Sequence, residues 1–206
     1  MRSALIVTGL AASLFVGVTI RAQPPKRSSS VSFAYLVDLV KFLAGDGKLV
    51  QVAPQGKTKA VIEKTDPVYD LPIFPVRALL LKLPAYQTPY AMTVTTYLSG
   101  LGRTKHILIL SGGDLFDAEF NPTRKILETA FQSKAPGFTK GSRLEATVPF
   151  EDEQRTETLL LLYVNTRTVG NRVPIKWRGT DFITPLLVHA ERSDEGTIEL
   201  ETNLKK

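Results

Sequence analysis

Cysteine is absent from this chain of 206 residues, which excludes a disulfide framework, thiol nucleophiles, cysteine metal ligands and a lipid-attachment cysteine. Histidine occurs only twice, at His106 and His189, and tryptophan once, at Trp177. Massed charge is missing too. The formal charge is +6, but the cations are scattered and the Lys26-Arg27 pair sits in a tail. A nucleic-acid partner calls for a concentrated basic stripe with interleaved aromatics, so no nucleic-acid binding is expected. Sustained strand–helix alternation, the signature of a parallel sheet, is also lacking.

What is present begins with an address. Met1-Arg2-Ser3 gives a positive start, residues 4–20 run without a charge, and Arg21-Ala22-Gln23 follow. A charged region, an apolar region and a small residue read as a signal peptide over 1–22, cut after Ala22. Ile20 fits the cleavage pattern poorly. The apolar run is also at the short edge of the roughly 17–25 residues that span a bilayer, so an uncleaved anchor is the alternative. Membrane contact is then expected only through residues 4–20, and only if they stay attached. Losing Arg2 and Arg21 with the leader takes the formal charge from +6 to +4. Either way, the rest of the chain is expected to be exported.

Residues 23–30, QPPKRSSS, read as a flexible tether. Phe33, Leu36, Val37, Val40 and Leu43 recur at helical spacing until Gly45-Asp46-Gly47, which predicts a short amphipathic helix. Together with a short strand in 48–54 this makes a lead-in over 31–65, with PQGKTKA taken as a loop. Alternating or apolar runs then predict strands at 76–84, 90–99, 105–110, 143–150, 157–166 and 195–202. Pro67, Pro72 and Pro75 exclude a central strand in 66–75. The expected fold is mainly β, an antiparallel, jelly-roll-like β-sandwich over 66–206. One dissenting segment is Asn121-Pro122 followed by TRKILETAFQ, where a cap and a proline at the first position predict a short inserted helix.

Candidate chemistry gathers around HILILSGGDLFDAEFNPTR. Ser111 precedes its glycines instead of standing between them, so it lacks the strained G-x-S-x-G turn that activates a serine. Gly112-Gly113 reads as a bulge or tight turn rather than a phosphate cradle. Asp114, Asp117 and Glu119 do not follow the calcium-loop pattern, and His189-Ala190-Glu191 has no partner histidine. These carboxylates read as a surface cluster. No catalytic residue, metal or cofactor is expected. Asp117 is placed to bond its own backbone in an Asx-type turn, with Phe120 anchoring the loop and Pro122 fixing its exit. Trp177, beside Arg178 and near Asp181 in a proline-bounded polar segment, can either stack on a sugar ring or fold inward to cap the sandwich.

The segment VRALLLKLPAYQTPYAMTVTTYLS, the corner formed by Asp117, Phe120, Pro122 and Thr123, the apolar strand ending in Tyr163 and Thr166, and the closing HAERSDEGTIELET with His189, Asp194 and Gly196 resemble the maltose operon periplasmic protein family. The likeness covers about residues 70–202. Residues 31–65 match weakly, and the stretch between Arg124 and Gly141 departs from the pattern. The resemblance implies an exported β-sandwich found in the periplasm and linked to maltose or maltodextrin transport, with no catalytic residues to carry over. The expected partners are carbohydrate or an envelope protein. A structural module of a cell-envelope assembly is the alternative role.

Overall fold

The computed structural model describes residues 31–32, 34–46, 49–99, 105–135, 141–151, 156–178 and 185–204. The expected leader and tether, residues 1–30, and Asp181 lie outside them. The described chain is mainly β, with one α-helix and two mixed sheets packed face to face.

The first sheet holds β1 (Val31–Ser32), β2 (Leu49–Gln51), β4 (Tyr69–Asp70), β5 (Pro75–Lys82), β8 (Gly112–Phe116), β9 (Pro122–Leu127) and β12 (Leu159–Asn165). Its order is β1-β4-β5-β12-β8-β9, with β2 continuing the edge beside the end of β5. The second sheet holds β3 (Gly56–Ile62), β6 (Tyr90–Ser99), β7 (His106–Leu108), β10 (Gln132–Lys134), β11 (Arg143–Phe150), β13 (Arg172–Arg178), β14 (Pro185–Ser193) and β15 (Gly196–Leu204). Most pairings are antiparallel; β1–β4, β2–β5 and β7–β14 are parallel.

The core lies between the sheets. Leu81, Leu115, Leu160 and Leu162 from the first meet Met92, Val94, Leu144, Ala146 and Leu200 from the second. Odd-numbered neighbours on β12, Leu159, Leu161 and Tyr163, face the other way and join a second apolar cluster with Leu39, Val40 and Leu43 of α1 (Leu36–Gly45). The first sheet is therefore buried on both faces, and β12 reads LLLLYV because neither face is wet. The helix expected over 33–43 stands at Leu36–Gly45, and its residues at spacing three and four cover β5.

The run HILILSGGDLF proves to be one extended path that changes sheets. Residues 106–108 pair with β6 and β14, whereas 112–116 pair with β12 and β9. Leu108, Ile109 and Leu110 are all buried at the crossing, which explains an apolar run without alternation. Gly112-Gly113 is accordingly not a turn but the start of β8. Space decides the residue type at 113: a Cβ there would stand 2.9 Å from a Leu162 methyl and 3.2 Å from the Leu161 carbonyl.

Three more expectations need correction. Asn121-Pro122 does not open a helix. Residues 122–127 form edge strand β9, followed by one 3-10 turn at Glu128–Ala130. Proline is admissible at the first position of an edge strand. Leu127, which a helix would bury beside Ile126, is exposed, because a period of two puts it on the opposite face. PQGKTKA is not a loop, because β3 begins at Gly56 and pairs over its whole length with residues Gly196 to Thr202 of β15. Lys57 and Lys59 alternate with inward Thr58, Ala60 and Ile62, and lysines on an edge discourage further pairing. Trp177 and Arg178 belong to strand β13, paired opposite Leu186 and Pro185, and not to a loop.

Candidate functional site: an aromatic-lipped cleft over Asp114 and Tyr163

β8 and β12 run antiparallel, with Asp114 opposite Leu161 and Gly112 opposite Tyr163. Asp114 and Tyr163 share the outer face, where the tyrosine hydroxyl donates to the carboxylate. Glycine at 112 makes this possible, since a Cβ there would sit 3.0 Å from the Tyr163 oxygen. Across the other edge of β8, Lys125 of β9 stands opposite Asp114.

Asp114 is only 8% exposed, and its Oδ2 has no hydrogen-bond partner. Burial pushes its carboxyl above the usual range, while Lys125 and the Tyr163 hydrogen bond pull it back. Burial, then the charge and hydrogen bond of Asp114, drive Tyr163 upward, so its hydroxyl stays protonated. The surface cluster expected of Asp114, Asp117 and Glu119 therefore does not form, because Asp114 is buried on the outer face of β8 whereas Glu119 and the Asp117 turn lie beyond its end.

Above this pair opens a cleft of about 340 Å³. Tyr35 and Leu36 at the start of α1 form one wall, Pro72, Ile73 and Phe74 the other, and its polar side-chain groups are Lys125 and the hydroxyls of Tyr163 and Tyr35. Phe74 and Tyr163 lie with ring centroids 6.4 Å apart. Tyr35 is 72% exposed and Ile73 77%, higher than any other large apolar side chain among the described residues. Both stand at this one opening. Exposed apolar groups gathered at a concavity are what a binding site looks like.

The corner after β8 is built from backbone bonding. Asp117 Oδ1 accepts from the N–H groups of Glu119 at 3.0 Å and Asn121 at 2.8 Å, and Oδ2 accepts from the Asn121 side-chain amide at 2.9 Å. Those donors, led by the Asn121 amide, hold the Asp117 carboxyl below the usual range. Phe120 takes a left-handed conformation, φ 65°, and packs against the outer apolar cluster. The Thr123 hydroxyl donates to the Leu115 carbonyl at 3.1 Å, and Pro122 starts β9.

Other polar candidates are engaged elsewhere. Ser111 Oγ accepts from the Asn165 N–H at 2.9 Å. His106 Nδ1 stands 3.9 Å from Glu191 in a parallel strand pair, and His189 is exposed on β14. A larger polar cavity, about 570 Å³, lies at the end of the second sheet near His106, Lys64 and Glu195. No group of three His, Asp or Glu among the described residues is arranged to hold a metal. No helix among them is long and apolar enough to cross a membrane.

Trp177 and Arg178 end a strand of the second sheet, whereas the cleft opens on the outer face of the first. The cleft residues Tyr35, Ile73, Phe74 and Lys125 escaped the sequence reading because they come from three separate segments. The one legible signal was Tyr163, a tyrosine in a strand of leucine and valine that closes on Asn165. Comparison with protein-family models finds no match for this chain, and none of the curated proteins matches it.

Proposed function

We propose that this chain is an exported, non-enzymatic accessory protein of the periplasm that contacts carbohydrate, as the resemblance to maltose operon periplasmic proteins suggests. The observation that supports it is the cleft. Exposed aromatic and aliphatic carbon suits the C–H faces of a sugar ring, and Lys125 and Tyr163 offer hydrogen bonds to its hydroxyls. Asp117 serves its own loop and Asp114 the Tyr163 hydroxyl, which favours binding over catalysis. Residues 1–22 direct export in this reading. Isothermal titration of the exported chain with linear maltodextrins is expected to give saturable heat. No heat across the series contradicts it.

A second reading, a structural or interaction module of a cell-envelope assembly, draws on the exposure of Tyr35 and Ile73, because such lips also fit a protein partner. Co-isolation from envelope extracts separates the two. Under this reading a specific envelope protein is recovered by the parent chain and lost with Ile73→Asp.

A further inference from the structure

Resting on the carbohydrate reading, the geometry points to Tyr163 and Lys125 as a matched acceptor and donor for two adjacent hydroxyls of a sugar ring. Asp114 is the positioning residue that makes Tyr163 the acceptor. A phenol has one proton and two lone pairs. Because the Tyr163 proton is engaged by the Asp114 carboxylate, its oxygen keeps lone pairs for a ligand. Lys125, the charged group of the cleft, can only donate. Neighbouring ring hydroxyls match this pair, one giving its proton to Tyr163 and the other accepting from Lys125. Tyr35 at the lip and Phe74 beside Tyr163 then meet the apolar face of the ring.

Two observations support the role given to Asp114. Its buried Oδ2 lacks a partner, and leaving a buried carboxylate half-satisfied is costly for a group whose only task is packing. Gly112, directly opposite Tyr163, leaves room for the hydroxyl to reach it. The titratable groups facing Asp114 are Lys125 from β9 and Tyr163 from β12. Once Asp114 is protonated, its own proton occupies one lone pair of the Tyr163 oxygen and the phenol proton turns toward the cleft, so the acceptor is weakened. Affinity therefore falls as pH drops through the folded-state value of Asp114, which burial sets above the ordinary carboxylate range.

The test uses the full exported chain and linear maltodextrins, titrated from neutral to acidic pH. Tyr163→Phe keeps the ring and removes the oxygen; affinity is expected to fall roughly tenfold, the worth of one hydrogen bond. Asp114→Asn is expected to abolish the pH dependence, with an unchanged circular dichroism spectrum as the folding control. If that variant does not fold, the acid-side loss in the parent chain still decides the point. Parent binding with an undiminished Tyr163→Phe overturns the subsite and leaves the carbohydrate reading standing. A flat pH profile in the parent overturns the role of Asp114. Absence of maltodextrin binding by the parent removes both the subsite and the reading beneath it.

Discussion

Asp117 shows what a single carboxylate does for this chain. With two backbone N–H groups and an amide bonded to it, its ionised form is favoured in the folded state. A carboxyl depressed on folding contributes stability that is present above its unfolded value and lost as pH falls through its folded value. Asp117→Ala is therefore expected to lower the thermal midpoint at neutral pH, with the gap to the parent closing in acid. An equal gap at both pH values would show that the turn does not depend on the charge. Gly113 makes a steric counterpart. Alanine there meets Leu162, Leu160 and the Leu161 carbonyl, so Gly113→Ala is expected to cost about 1–3 kcal/mol in chemical denaturation. The Asx corner was legible because its donors lie within four residues of Asp117. The need for glycine at 113 was not, because the neighbour that imposes it lies about fifty residues away on β12.

Among the elements, strands with one buried face announced themselves. β6 and β11 occupy residues 90–99 and 143–150, where period-two alternation placed them. Strands whose residues carry turn, edge or capping signals did not. β8 begins with two glycines, β3 carries edge lysines, and β9 opens with a capping motif that competes for a helix. At β9 the ladder to β8 prevails over local propensity, since an isolated helix turn gains less than a pairing that also buries Ile126. The helix that does form is held by packing. Leu39 is fully buried between α1 and the first sheet, so Leu39→Ala is expected to cost about 2–5 kcal/mol and to loosen the wall that carries Tyr35. Denaturant melts would measure the first effect, and hydrogen exchange over 34–46 the second.

At the scale of the molecule, the two sheets are joined by apolar burial and by a charged clamp. Arg77 of β5 pairs with Asp194 in the turn between β14 and β15, and it also donates to the carbonyls of Lys64 and Asp66. Both charged side chains are largely buried. Asp194→Ala strands a buried guanidinium and is expected to cost about 3–5 kcal/mol, whereas replacing both partners with apolar residues recovers much of the loss. A double variant no more stable than the single would contradict this account of the clamp. Architecture and core were readable at this scale because they rest on hydrophobic pattern. The cleft was not, because the topology alone brings the start of α1, the 72–74 segment and the β8–β9–β12 face together.

The central claim, that this cleft is where the protein meets carbohydrate, is tested most directly by nuclear magnetic resonance. The isotope-labelled chain is titrated with a linear maltodextrin. The account predicts saturable shifts concentrated at Tyr35, Ile73, Phe74, Lys125 and Tyr163, all of which line the cleft. Saturable shifts confined to the Trp177 end of β13, or none anywhere, would contradict it.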